Sequence, residues 1–211
     1  MVGHDLRNPL SVARGWLSLL TDGDEEHRER IEGALDRMEE ILVDMRALAE
    51  PDADAGPQEV VELSAVATAA WELADAPGAE LRVEYGPEVE ANPGLFKQAL
   101  ENLFRNSAEH ASTAGRTTGG PNDHCEPDVT VRVGALPDED GLFVEDDGPG
   151  IPEGRRETVF DPGVSTREGG GFGLAVVREV VDVHGWSVDV TDSELGGTRF
   201  ELTGVELTVP E

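Results

Sequence analysis

His4, in the run His4-Asp5-Leu6-Arg7-Asn8-Pro9-Leu10, has the makings of a nucleophile. A neutral imidazole titrates near physiological pH, and one ring nitrogen can attack a phosphoryl group if the other is oriented by a partner. Further along come segments suited to a phosphorylated nucleotide: Asn102-Leu103-Phe104-Arg105-Asn106-Ser107-Ala108-Glu109-His110, Asp146-Asp147-Gly148-Pro149-Gly150, Gly169-Gly170-Gly171-Phe172-Gly173-Leu174-Ala175 and Gly196-Gly197-Thr198. Asn102 and Asn106 are four residues apart and share one face of a helix. Gly148 and Gly150 let backbone approach a nucleotide without a Cβ clash. Gly169, Gly171 and Gly173 present backbone amides, and a helix beginning near Gly173 points its positive end at phosphates. Alone, each segment is an ordinary turn or a solvated side chain; their order and spacing make the joint signal.

Together the segments resemble the transmitter module of two-component sensor histidine kinases, with its H, N, G1, F, G2 and G3 boxes, over nearly the whole chain. The resemblance implies that His4 is the phosphoacceptor and that Asp5 accepts a hydrogen bond from its ring and helps remove the proton. Asn8, one turn on, matches a position that in some relatives places a water to dephosphorylate the response regulator. Asn106 matches the asparagine whose oxygen helps hold Mg²⁺ against ATP, with Asn102 supporting the phosphates or the metal's water shell; one amide plus phosphate oxygens suits magnesium. Arg105 and His110 either add positive charge there or serve surface and capping roles. Asp146 matches the carboxylate that accepts the adenine amino group's hydrogen bond, and Asp147 departs from the family's usual asparagine. Phe160 matches the F-box aromatic, Gly163 to Glu168 a mobile lid, and Gly169, Gly171, Phe172, Gly173 and Leu174 the G2 box. Thr198, or its backbone, falls near the adenine end, although Gly196-Gly197-Thr198 equally suits a bare hairpin turn. A Rossmann reading of the Gly169 segment fails on its final glycine and its context, and no Walker glycine-lysine-serine sequence is present.

Two units must position these groups, giving an α+β chain: residues 1–50 as a helical hairpin carrying His4, 51–58 as a linker, and 59–211 as the ATP-binding domain. Leu6, Leu10, Ala13, Leu17 and Leu20 recur at three- and four-residue steps, as on an amphipathic helix. Thr21-Asp22-Gly23-Asp24 breaks it. Ile31, Leu35, Met38, Leu42 and Met45 then trace a heptad seam. Two such helices cannot bury both faces alone, so two hairpins pairing into a dimeric four-helix bundle is the expected solution, with packing against the chain's own C-terminal domain as the alternative. Pro9 is expected to bend the first helix beyond His4, unless it falls in the first turn.

Beyond the linker the patterns predict a strand at Val60 to Leu63, a helix from Ala65 to Ala74 capped by Ser64, a strand at Leu81 to Tyr85 and a helix from Pro93 to about Ala111. Ser112 to Asp128 is a long polar loop. Strands follow near Val129 to Val133 and Leu142 to Glu145, then a helix from Gly173 to about Val183 and strands near Ser187 to Thr191, Arg199 to Thr203 and Val205 to Val209. Helices with antiparallel-looking strands suggest a two-layer sandwich, similar to the ATP-binding fold shared by histidine kinases, chaperones and type II topoisomerases.

The chain has 45 acidic against 16 basic residues and a formal charge of -29, with Lys97 the only lysine. Direct nucleic-acid binding is thereby excluded as an expectation. So large a charge repels itself unless screened, and at molar salt the Debye length is roughly 3 Å. Acid-rich, lysine-poor surfaces resemble those of salt-loving microbes, which points to a halophilic archaeon; the alternative is a merely acidic protein. Cys125 is alone, so no intramolecular disulfide forms, and with only His124 beside it there are too few ligands for zinc. No apolar run of about 18 residues and no basic, apolar leader occurs, and a soluble, cytoplasmic chain is expected. Only Met1, Val2 and Gly3 precede His4, so either this is a piece of a longer parent, with membrane attachment of that parent left open, or its input comes from elsewhere.

The expected activity is a histidine kinase core that autophosphorylates His4 from Mg-ATP and passes the phosphoryl group to an aspartate of a response regulator receiver domain. The alternatives are a truncated non-catalytic scaffold or another ATPase of the same fold.

Overall fold

The computed structural model describes residues 56–74, 76, 78–84, 86–111, 129–137, 140–164 and 172–208, together with Ile31, Leu35 and Met38. The rest of the hairpin, the 112–128 loop and Cys125 lie outside the described residues. Ile31, Leu35 and Met38 are helical, as the heptad pattern requires, with Leu35 exposed.

The described residues form β1 (Glu59–Glu62), α1 (Leu63–Ala74), β2 (Ala79–Val83), β3 (Glu88–Ala91), α2 (Pro93–Ala111), β4 (Val129–Ala135), β5 (Gly141–Asp146), a short 3-10 turn (Glu153–Arg155), α3 (Gly173–His184), β6 (Ser187–Asp192), β7 (Thr198–Thr203) and β8 (Leu207–Thr208). A five-stranded sheet runs β2-β4-β5-β7-β6, and a small antiparallel sheet runs β1-β3-β8. Within the larger sheet β2 pairs with β4 in parallel, while the other neighbours are antiparallel, in keeping with the antiparallel look of most of the strands.

Period-two alternation sends Val131, Val133, Leu142, Val144, Phe200 and Leu202 to one face of this sheet. There they join the buried faces of the helices, including Leu63, Ala67, Phe96, Leu100, Leu103, Phe104, Val177 and Val181, in one core. Trp71 meets Phe104 edge-on at 5.4 Å, and Phe96 meets Trp186 likewise at 5.8 Å. The two-layer α+β sandwich is therefore as expected. No described helix is long and apolar enough to cross a membrane.

Three local differences have physical causes. β3 was not foreseen: its Glu-Val-Glu-Ala is half charged, yet Val89 and Ala91 are buried while the glutamates point away. β2 begins at Ala79 and ends at Val83, because its partners in β4 begin at Val129. Ser64 is not a cap. The helix already starts at Leu63, whose side chain is fully buried and whose N–H donates to the Pro87 carbonyl at 3.2 Å, while the Ser64 hydroxyl donates to Glu62.

α2 carries the polar motif, and its start is fixed by Asn92. The Asn92 Oδ1 accepts the Leu95 N–H at 3.0 Å, with Pro93 in the first helical position where no N–H is needed. Its Nδ2 donates to the Gly56 carbonyl at 2.9 Å, and its own N–H donates to His184 Nε2 at 2.9 Å. This capping residue thus joins Gly56, in the segment expected as the linker, to α2 and the end of α3. Asn92→Ala is expected to lower stability by about 1–2 kcal/mol, read as a lower urea midpoint; Asn92→Asp, which keeps the acceptor, should lose less, and equal losses would contradict the capping role.

Candidate functional site

The site is built where α2, the end of β5 and the β6 to β7 turn converge. Val144 and Leu142 face the helices, so Asp146, next in the same alternation, does so too. Its carboxylate is 3% exposed. Oδ1 accepts the Gly148 N–H at 2.9 Å and the Thr198 N–H at 3.1 Å, and Oδ2 accepts the Ser107 hydroxyl at 2.9 Å. Three separate segments are therefore tied to one carboxylate, which keeps acceptor capacity on Oδ2. Burial is the largest influence on its titration and pushes its pKa up; the three hydrogen bonds pull the other way, and Asp147 adds to the rise.

Glycines are needed where the turns press on this group. A Cβ on Gly197 would lie 2.3 Å from Asp146 Oδ1 and 2.5 Å from both the Asp146 carbonyl and the Gly148 nitrogen. Nothing larger fits between the two turns. Gly150 has a φ of 75°, in the left-handed region that favours glycine. The loop it belongs to is held by Arg156, whose Nε donates to the Ile151 carbonyl at 3.1 Å and whose guanidinium pairs with Asp192.

On α2, Asn102 and Asn106 share a face as expected. Asn102 is buried, with Nδ2 donating to the Gln98 carbonyl at 3.0 Å, and its Oδ1 lies where a Cβ on Gly173 would fall, at 2.8 Å. The start of α3 is thus packed directly on Asn102. Asn106 is half-buried and makes no side-chain hydrogen bond among the described residues. Ser107 was missed by the sequence analysis, although a serine one residue past Asn106, on the apolar side of a helix interior, was a usable signal. It is 1% exposed and serves Asp146.

Other expected site residues have packing or structural roles. Arg105 pairs with Glu101 one turn back, which favours the structural role over positive charge for a ligand. Phe160 is a core residue, edge-on to Phe200 at 6.3 Å with the Arg178 guanidinium 5.0 Å above it. Phe172 is buried at the N-terminal boundary of α3, and Leu174 packs against the core, so both anchor the helix start. The Asp147 carboxylate accepts the Thr130 N–H at 2.9 Å, a role an asparagine oxygen fills equally. His4, Asp5, Asn8, Gly169 and Gly171 lie outside the described residues, as do most of the lid and the His110 side chain.

Glu145, adjacent to Asp146, points to the opposite face and is fully buried. Burial would raise its pKa most strongly, yet hydrogen bonds from Arg132 and Ser193 and the charges of Arg132 and Arg199 carry it below the usual carboxylate range. Two neighbouring carboxylates are thereby pushed in opposite directions.

A sheet with helices on one face, a buried carboxylate at a strand end and glycine turns converging on it define a nucleotide-binding α/β sandwich. Residues 91–208 match the family of histidine kinase-, DNA gyrase B- and HSP90-like ATPases, and the chain belongs to it. Residues 1–54 match the His Kinase A phospho-acceptor domain. The sensor histidine kinase CpxA of Escherichia coli is 30% identical over 222 residues, 95% of this chain and 45% of CpxA. Sporulation kinase A of Bacillus subtilis is 27% identical over 214 residues, 96% of this chain and 33% of its own length. The chain thus spans less than half the length of these curated relatives. Among solved structures, the histidine kinase AdeS of Acinetobacter baumannii shares the fold with a TM-score of 0.67 at 18% identity, covering 99% of this chain and 98% of AdeS. The mycobacterial sensor histidine kinase MprB does so with a TM-score of 0.55 at 24% identity, covering 73% of this chain and 99% of that one.

The raised pKa of Asp146 makes its charge a cost to the fold. Between the unfolded value near 3.9 and the raised folded value, the folded state binds more protons, so stability falls as pH rises through that window. Asp146→Asn, which keeps the Oδ1 acceptor and can reverse the Ser107 hydrogen bond, is expected to gain stability relative to wild type as pH rises, levelling off above the window. Urea unfolding at a series of pH values measures this; a difference that is flat, or shrinks with pH, would count against the uncompensated burial.

Proposed function

We propose that this chain is the transmitter core of a sensor histidine kinase, which transfers the γ-phosphoryl group of ATP to His4 and then to an aspartate of a response regulator. The observation that carries this is the pairing, in one chain, of a phospho-acceptor match containing His4-Asp5 with a nucleotide-binding sandwich whose polar motifs converge at Asp146.

In this reading the Asp146 carboxylate, anchored by Ser107, Gly148 and Thr198, accepts a hydrogen bond from the adenine amino group. The phosphates run towards the start of α3, whose free N–H groups and dipole favour anions. Asn106 offers a hard amide oxygen engaged by no described residue, which fits Mg²⁺ as one ligand beside phosphate oxygens and water. Magnesium, when bound, neutralises charge on the triphosphate. A ring nitrogen of His4 forms the new N–P bond as the bond from the γ-phosphorus to the bridging oxygen breaks and ADP leaves; Asp5 orients the ring and takes up its proton. Positioning and electrostatics are the main demands of such a transfer.

The helical seam through Ile31, Leu35 and Met38 supports homodimerisation, since one hairpin leaves Leu35 exposed. The use of ATP as substrate supports a cytoplasmic location for this segment. The excess of acidic over basic residues supports a protein adapted to high salt.

Two outcomes are expected. With γ-labelled ATP and Mg²⁺ at molar salt, wild type acquires acid-labile label and His4→Ala none; ATP hydrolysis without phosphohistidine would instead identify another ATPase of the family, and no ATP binding a scaffold. On dilution from molar to millimolar salt the folded fraction, followed by circular dichroism, is expected to fall sharply, and unchanged stability would remove the halophilic reading.

A further inference from the structure

The face of the sheet turned away from the helices carries a closed ionic cluster behind the base site. Glu145 pairs with Arg132 through Oε1 and with Arg199 through Oε2 at 3.2 Å. The same Oε2 accepts the Ser193 hydroxyl at 3.1 Å and the Glu194 N–H at 3.3 Å. Ser193 Oγ in turn accepts the Leu195 N–H at 2.9 Å, the Gly196 N–H donates to the Ser193 carbonyl at 3.0 Å, and the Ser193 N–H donates to the Gly197 carbonyl at 3.1 Å. Arg199 also lies 4.1 Å from the Phe143 ring centroid, which fixes its guanidinium from another side.

Glu145 therefore grips the β6 to β7 turn at its start, through Ser193 and Glu194, and just past its end, through Arg199. Between these grips lie Gly197, packed on Asp146 with no room for a Cβ, and Thr198, whose N–H donates to Asp146 Oδ1. The strand's alternation places the grip on one face and the carboxylate it serves on the other.

We propose that Glu145 is a positioning residue for nucleotide recognition: it holds the Gly196-Gly197-Thr198 turn in register with Asp146, so that the carboxylate is aimed at the base. This rests on the reading of Asp146 as the adenine acceptor. Among the described residues the turn's other ionic links are the pair of Arg132 with Glu194, in which Arg132 is held by both Glu145 and Glu84, and the pair of Arg156 with Asp192 just before the turn; only Glu145 is buried among these carboxylates.

The test is isothermal titration of ADP and of GDP into the full chain at molar salt, for wild type, Glu145→Gln, Ser193→Ala and Asp146→Asn, with folding checked by circular dichroism. Ser193→Ala removes the hydroxyl's bonds to Glu145 and to the Leu195 N–H, loosening the turn while leaving the glutamate and its arginines paired, so it remains informative if Glu145→Gln does not fold. Both variants are expected to weaken ADP binding roughly tenfold, the worth of about one well-placed hydrogen bond, and to shrink the preference for ADP over GDP. A purely structural role would lower the folded fraction but leave the affinity and base preference of the folded molecules unchanged, and that result would overturn the proposal. If wild type binds neither nucleotide, or Asp146→Asn binds ADP as well as wild type does, the adenine reading itself has failed and the positioning role falls with it.

Discussion

The carboxylate of Asp146 is buried with three hydrogen-bond donors and, among the described residues, no paired cation. Each donor belongs to a different piece of chain: α2, the loop after β5, and the start of β7. Satisfying one carboxylate therefore fixes the relative placement of all three, and the glycines at 148 and 197 follow from that closeness, since neither has open space for a Cβ. A neutral side chain would be cheaper to bury. Keeping a buried carboxylate with no paired cation among the described residues at a strand end is the kind of local cost that marks a binding site.

Glu145 and Asp146 show how a strand can give neighbouring identical charges opposite environments. On the outer face Glu145 meets Arg132 and Arg199; on the inner face Asp146 meets only neutral donors. The paired carboxylate binds the sheet and the β6 to β7 turn together, whereas the unpaired one is left with acceptor capacity. The same backbone alternation that builds the hydrophobic core separates these tasks without any additional element.

Much of this was legible in the sequence because the informative signals were local. Helical spacing through Leu95, Leu100, Leu103 and Phe104 located α2, alternation located β4 and β5, and the Asp146, Gly148 and Gly150 spacing located the strand end. What was not legible depended on partners remote in sequence. Ser107 is a site residue only because Asp146, 39 positions away, turns towards it. β3 is a strand only because β1 and β8 flank it. Phe160 has the look of a ligand-facing aromatic within its motif but packs against Phe200, and Ser64 has the chemistry of a cap but yields to the burial of Leu63.

The charge balance gives the outer cluster an added significance. Arg82, Arg105, Arg132, Arg156 and Arg199 all pair with acidic side chains, but the pairs differ in exposure. The pair of Arg82 with Glu80 is open to solvent and is screened at molar salt, where the Debye length is roughly 3 Å. Glu145 is wholly removed from solvent, and its arginines are largely so, which shields their attraction from the same ions. In a chain this acidic, salt that relieves repulsion between surface carboxylates also erodes exposed ion pairs. A buried anchor is less sensitive to ionic strength than an exposed one, and the β6 to β7 turn is held by a carboxylate that is fully buried.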